Sequence, residues 1–525
     1  MSSVSELVGL AVAVGRLRAG VLSAGERALV TRAERPAQEL VARVRSSIEG
    51  GQDPLGALFC AVRSAAQRRP AGAVYSPPAL VEAMVARAAC FEPARVVDAG
   101  AGSGRFALAA AQRFSGAELI AIESDPVALL VLRANVAVLG LGERTRIVEE
   151  DFRGFELGRA AGRSLFLGNP PYVRHHALEP RWKRWFSEHA AKLGLRASRL
   201  AGLHAHFLLA MALGAAEGDA GVLVTSAEWL DVRYGAFLRE LLLERLGLLE
   251  LHRLEPLVRP FEDADTTAVV MCFEVGARPA QVSVRNVLAF AELAPLEGGR
   301  LVRREELASA SRWSQLVRSD APLTSDGPEL GEFFDVHRGQ VTGANRVWIA
   351  GEHSADLPDS VLFPCVTRAR ELISAGFALT SLSELRRVID LPVEMEALAS
   401  RERRAVERFL TVARSMGAHE GFIARHRRSW WSVGLRAPAP ILVTYMARRP
   451  PAFVHNLAGA RHLNIAHGLY PRATLAADVL ARVARHLSAH TPQSSGRTYA
   501  GGLTKFEPGE LLRLRVPGLR EIAEG

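Results

Sequence analysis

The stretch VVDAGAGSG, residues 96–104, decides the fold class. Val96 and Val97 favour extended backbone, while the residues after Gly104 carry apolar side chains at helical spacing as far as Phe114. Between them stand Gly100, Gly102 and Gly104, at alternate positions. Such a loop turns tightly, brings its backbone close to a ligand and opens onto the free N–H groups of a helix start. The spacing is neither the GxGxxG of dinucleotide sites nor that of a P-loop, whose Lys is absent. No pyrophosphate cradle is indicated.

Outward from this loop, short β-rich runs alternate with helical stretches. Strands are expected at 94–99, 118–122, 145–149, 164–167, 221–225, 248–252 and 267–274, and helices at 104–114, 126–139, 204–217 and 236–246. That pattern predicts an α/β, Rossmann-like, seven-stranded and mostly parallel sheet, with ligands at the carboxyl ends of its strands. Glu123 closes the second strand, where an acid accepts hydrogen bonds from ribose hydroxyls. Asp151 and Phe152 follow the third, offering a carboxylate and an aromatic face beside an adenine ring. Glycine loop, acid and Asp-Phe on three consecutive strands describe a nucleoside site.

The fourth strand runs into Asn169-Pro170-Pro171-Tyr172. The prolines fix φ near −65° and press the preceding residues into extended geometry, so the Asn169 side chain and its neighbouring carbonyls are held in one shape. Taken alone this is either a stiff turn or a polar cup for a planar group. With Tyr75-Ser76-Pro77-Pro78 ahead of the glycine loop, the series resembles the S-adenosylmethionine-dependent methyltransferases. Its motif order is similar to the gamma class of N6-adenine DNA methyltransferases, the TaqI-like group. The resemblance implies that Tyr75, Ser76 and Pro78 lie against the cofactor's methionine part. It further implies that the loop from Asp98 to Gly104 wraps that part, that Glu123 binds the ribose, and that Asp151 and Phe152 hold the adenine. Many relatives carry Asp-Pro-Ala-Cys-Gly where this chain has Asp-Ala-Gly-Ala-Gly, which keeps the loop flexible.

The chemistry this implies suits the residues. An adenine amine is a poor nucleophile because its lone pair is delocalised into the ring. The Asn169 oxygen and the Pro170 carbonyl can accept hydrogen bonds from both N–H groups and draw density onto the nitrogen. Positioning then supplies much of the acceleration, up to roughly 7–11 kcal/mol. Within a duplex the base must first be turned out of the stack. Tyr172 offers one stacking face, and Phe261, in Pro260-Phe261 ahead of Asp265 to Val270, matches the family segment that supplies a second.

The chain of 525 residues is long enough for several domains, and its net charge of +9 suits a polyanionic partner. Of 65 basic residues only Lys183, Lys192 and Lys505 are lysines, so the excess partly reflects an arginine-rich composition. Three regions are expected: a helical extension over 1–70, the catalytic domain over 71–310, and a mixed α+β target-recognition domain over 311–525. Residues 339–346 and the closing segment Tyr499 to Phe506 resemble the bounds of that last domain, and 381–434 is read as largely helical. Arg427, Arg428 and Trp430 lie in a run of basic and aromatic residues suited to phosphate contact. Arg174, Asn345, Arg346 and Arg448 complete the DNA-facing candidates, and duplex DNA is the expected partner, with a cognate restriction endonuclease acting on the same site.

Four scattered cysteines without a CxxC pair fit a reducing cytoplasm, and no run is long and apolar enough for a membrane span. No metal is expected: His204 and His206 stand two apart with no acid at fitting spacing, and they are read as facing solvent or duplex along with His175 and His176. Protein glutamine and rRNA adenine methyltransferases share the Asn-Pro-Pro-Tyr motif, but they lack a long basic domain behind it. A non-catalytic DNA-binding protein would have no need of Glu123 and Asn169 in place.

Overall fold

The computed structural model describes residues 3–255, 258, 261, 266–318, 327–499 and 502–524. Pro260 and Asp265 beside Phe261, and Ala500 and Gly501 of the closing motif, lie outside those residues. The chain divides into two compact units, Met1–Pro322 and Leu323–Gly525.

The first unit is built on one sheet. Its strands are β1 (Arg95–Ala99), β2 (Glu118–Glu123), β3 (Thr145–Glu149), β4 (Ser164–Gly168), β5 (Ala220–Ser226), β6 (Leu248–Leu254) and β7 (Ala268–Glu274). Two more, β8 (Gln281–Val287) and β9 (Arg300–Arg303), extend its edge, so the sheet has nine strands where seven were expected. The order is β3-β2-β1-β4-β5-β7-β6-β8-β9. β1 to β5 are parallel, and β7 enters antiparallel between β5 and β6. The two extra strands were missed for different reasons. β8 does bury Val282 and Val284 at period two, but lies beyond the last strand–helix unit; β9 is four residues long and buries only Val302.

The strand order reverses between β1 and β4, whose registers pair Arg95 with Ser164 and Val97 with Phe166. The glycine loop and Asn169 therefore leave the sheet side by side, at the crevice where such sheets bind ligands. Helices cover both faces, with Phe166, Phe207 and Met271 in one core and Leu165, Phe106 and Val222 in the other.

The segment ahead of residue 70 is built of short helices that pack on this α/β fold. Ser3 with Glu6 and Ser23 with Glu26 form capping boxes that start helices Val4–Gly15 and Ala24–Val30. Leu7, Leu10 and Val14 bury against Val127, Leu130 and Val131 of helix Pro126–Val138. The fully buried Glu26 carboxylate is paired with Arg133 at 2.7 Å. At the other end, helix Trp313–Arg318 belongs to the first unit, its Trp313 packed edge-on against Trp229.

The second unit is mixed α+β. A four-stranded sheet orders Phe334–Arg338, Ala466–Pro471, Ile441–Thr444 and Phe453–His455, and two three-stranded sheets accompany it. The expected helical span 381–434 is largely not helical. It holds strand Arg386–Ile389, helix Ser400–Ser415 and the four-residue helix Phe422–Arg425. Glycines and prolines outside 400–415 interrupt the periodicity.

Candidate active site

At the crevice lies a cavity of ≈ 420 Å³. The glycine loop forms one side with Gly100 and Gly102; their φ values are +81° and +56°, a backbone that side chains other than glycine's resist. Glu123 faces them from the end of β2, Asp151 and Phe152 from the end of β3, and Asn169 and Pro171 from the end of β4. Tyr75 and Ser76 close it from the segment ahead of the sheet. Gly104 and Pro78 do not line the cavity: Gly104 caps helix Arg105–Arg113, and Pro78 opens helix Pro78–Ala88.

Asp98 works behind the wall. Its Oδ2 accepts the Ala107 N–H at 3.1 Å, tying the strand end to the helix that follows the loop. Burial, with the Glu123 charge adding to it, pushes its carboxyl up to about 7. A folded-state value raised from 3.8 contributes stability that is complete below 3.8 and lost as pH rises through about 7. The melting midpoint of the ligand-free protein should therefore fall between about pH 4 and 7, and Asp98→Asn should flatten the decline. A slope identical in the two proteins would remove Asp98 as its source.

Glu123 spends its carboxylate on the backbone. Oε2 accepts Gly102 N–H at 2.9 Å; Oε1 accepts Ser124 N–H at 2.7 Å and Asp125 N–H at 2.9 Å. Burial raises its pKa against these bonds. Asp151 is held otherwise: burial opposes its charge, but Arg153, donating from Nε at 2.8 Å, outweighs that and lowers its pKa. The Arg153 guanidinium in turn lies 3.8 Å from the Trp182 ring centroid.

Asn169 carries the most informative geometry. Its Nδ2 donates to the Val74 carbonyl at 3.1 Å and to Ser76 Oγ at 3.2 Å. A carbonyl can only accept, so the amide nitrogen must face Val74 and the oxygen must face the other way. That oxygen, Oδ1, is buried without a partner among the described residues. A buried acceptor left open is costly unless something arrives to fill it. Ser76, expected on the cofactor, thus also braces Asn169. Ser76→Ala should lower turnover about 3- to 10-fold, the worth of one such bond, with cofactor affinity unchanged and Ser76→Thr restoring the rate. A rise in cofactor Kd instead would return Ser76 to the cofactor.

Beyond Asn169 the chain borders a second cavity of ≈ 820 Å³, lined by Tyr172, Arg174, His175, His176 and His204 among others. Gly72, Ala73 and Val74 line both cavities and so form the partition between them. The Tyr172 N–H donates to Gly72 O at 2.9 Å. Phe261 is brought to Tyr172, edge to face with centroids 5.9 Å apart, but it is buried and lines neither cavity. Pro170 is buried and lines neither cavity.

His204 and His206 are buried, not facing solvent, because helix Leu203–Gly214 is enclosed on nearly all sides. Burial pushes them down to about 4 and about 3, so both are neutral near pH 7; His206 lies flat on Phe186, 4.3 Å between centroids. Elsewhere Glu250, His252 and Cys272 cluster within 4.8 Å. Arg87 already engages both oxygens of that carboxylate, at 2.9 and 2.7 Å, and sets a fixed positive charge beside the cluster.

Type II methyltransferase M.XamI of Xanthomonas campestris pv. amaranthicola is 52% identical over 453 residues, 86% of this chain and 86% of that protein. The chain belongs to the type II methyltransferases. Residues 320–525 match the family described as type II methyltransferase M.Eco57I, C-terminal domain. Type II methyltransferase M.AccI of Acinetobacter calcoaceticus is 20% identical over 363 residues, 65% of this chain and 67% of that protein. The fold is shared with MmeI, a type IIL restriction-modification enzyme solved in complex with DNA. The TM-score is 0.59 at 11% identity, covering 98% of this chain and 78% of that one.

In this type II methyltransferase the expected DNA contacts of the second unit are mostly engaged internally. Arg346 donates to Met416 O at 2.7 Å and Arg427 to Thr342 O at 3.1 Å, while Asn345 accepts from the Thr342 hydroxyl. Arg428 is exposed and pairs with Glu394 at 2.8 Å; Arg448 is exposed. Trp430 packs against Trp348 and Trp431, and with Arg414, Arg425 and Arg427 it lines a cavity of ≈ 520 Å³. Among the described residues no helix is long and apolar enough to cross a membrane.

Sequence reasoning missed Phe59, which lines the first cavity from helix Pro54–Val62. It also missed Arg105, which stacks 5.0 Å over Tyr75, pairs with Asp53 at 2.9 Å and donates to Ser76 O at 2.8 Å. In sequence Phe59 reads as core and Arg105 as a helix surface residue, so neither carries a signal.

Proposed function

We propose that this type II methyltransferase transfers a methyl group from S-adenosylmethionine to the exocyclic N6 of an adenine turned out of duplex DNA, as the modifying half of a restriction–modification pair. One observation carries the reading: Asn169, which lines the smaller cavity and is braced by its Nδ2 against Val74 in the wall shared with the larger one, keeps a buried Oδ1 acceptor that meets no donor among the described residues. The smaller cavity has the acid and aromatic groups for a nucleoside; the larger has room for a base beside Tyr172.

Bound in the smaller cavity, S-adenosylmethionine would supply an electrophilic methyl carbon. Asn169 Oδ1 accepts one amine N–H and draws electron density onto the nitrogen. The stiff Pro170-Pro171 pair keeps that acceptor from following the amine as it moves. Asn169 carries no charge to tune, and the methylated nitrogen is acidic enough to lose its proton to water.

Transfer from methyl-labelled S-adenosylmethionine to duplex DNA, followed by digestion to nucleosides, tests the reading. The label should appear in N6-methyl-2′-deoxyadenosine. Label in protein or in cytosine would overturn it, and sequencing of methylated DNA from expressing cells would then map the site.

A further inference from the structure

Leu200 has no role in any core, yet its place is well defined. It sits in the loop between helices Pro180–Lys192 and Leu203–Gly214. The loop is docked firmly. Leu195 and Ala201 are buried, Ala201 N–H donates to Ser198 O at 3.0 Å, and Leu203 N–H donates to Val173 O at 2.9 Å. At Gly202 a Cβ would stand 3.0 Å from that same Val173 carbonyl, so the loop packs tightly on the segment bearing Tyr172 and a side chain there would press on it. From this anchored loop the Leu200 side chain is held out, 56% exposed. Among the exposed large apolar side chains of the described residues, it is the one that lines the ≈ 820 Å³ cavity.

Its surroundings are mostly basic, with Glu228 the one carboxylate among the described residues that line the cavity. Arg196 and Arg199 on the same loop are exposed, as is Arg174, which lines the same cavity. An apolar side chain fixed at a cavity rim among exposed arginines matches a partner with an apolar interior and an anionic skin. Stacked base pairs inside two phosphate backbones are such a partner.

We propose that Leu200 is a positioning residue that enters the base stack and fills the gap left when the target base turns into the cavity. The inference rests on the proposed base-flipping reading. Extrusion breaks pairing and stacking on both sides of the base, and an apolar side chain in the vacated space restores contact and blocks return. Arg174, Arg196 and Arg199 then hold the phosphates that flank the opening.

The test uses the full chain and two duplexes carrying the mapped site, one with the target adenine paired and one with it opposite an abasic position. Leu200→Ala should slow methylation of the paired duplex roughly 10- to 100-fold, the order of an unpairing cost, and leave the unpaired duplex within about threefold. Leu200→Met should retain most of the rate on both. With 2-aminopurine replacing the target adenine, the fluorescence rise on binding should be large for wild type and reduced for Leu200→Ala. Equal loss on both duplexes, or no loss on either, overturns the wedge while wild-type methylation and fluorescence preserve the flipping reading. A wild type that methylates no adenine, or gives no fluorescence rise, overturns both.

Discussion

Asn169→Ala is expected to lower the rate of methyl transfer by on the order of 10²–10³-fold, the usual cost of one preorganised polar group at the reacting centre. The Kd for S-adenosylmethionine should stay within about threefold, because the groups proposed to face the nucleoside, Glu123, Asp151 and Phe152, are each held by contacts that exclude Asn169. Asn169→Asp should be no better. A carboxylate has no N–H to donate, so one of its oxygens would face the Val74 carbonyl oxygen at the present 3.1 Å contact, lone pair against lone pair. Single-turnover rates with labelled cofactor, beside calorimetric cofactor titration, separate the two effects. Parallel loss of rate and affinity would mean that Asn169 belongs to cofactor binding and not to the amine.

The second large effect is expected at Glu123, and it falls on affinity where that of Asn169 falls on rate. A carboxylate offers about four lone-pair sites; Oε1 meets the Ser124 and Asp125 amides and, at 3.5 Å, the Ser124 hydroxyl, while Oε2 meets the Gly102 amide alone. One site remains for a ribose hydroxyl, and a second hydroxyl must displace one of those donors. Glu123→Gln puts an NH₂ group where an oxygen now meets an N–H, whichever way the amide turns. A donor would then face a donor at the hinge of the glycine loop. The cofactor Kd should rise roughly 10- to 100-fold, as for a lost charge-assisted bond, while the rate at saturating cofactor stays within about threefold. An unchanged Kd with a falling rate would sink the assignment.

Much of the fold was legible because the sheet leaves continuous apolar runs, as in Val96-Val97 and Ala268 to Phe273, separated by helical spacing. That Gly100, Gly102, Glu123, Asp151, Phe152 and Asn169 would line one cavity was legible too, since they stand at successive strand ends. What those residues touch was not. Ser76 lies in a motif that implies a cofactor contact, and only folding brings its hydroxyl 3.2 Å from Asn169 Nδ2, ninety-three positions on. The arginines of the second unit were visible as a basic run, but whether a guanidinium meets water, a phosphate or a carbonyl depends on chain passing nearby, as Arg346 meets Met416.

By itself the sequence determined the strand–helix alternation, the glycine loop at the end of the first strand and the stiff Asn-Pro-Pro-Tyr turn. Those depend on backbone preference and short periodicity, which neighbouring residues carry. Tertiary structure alone decided which way the Asn169 amide points, that Phe59 and residues 71–74 wall the crevice, that His204 and His206 are buried and neutral, and that Leu200 stands out at the rim. Each of these depends on groups far apart in the chain, and hydrogen-bond direction and burial are properties of that proximity.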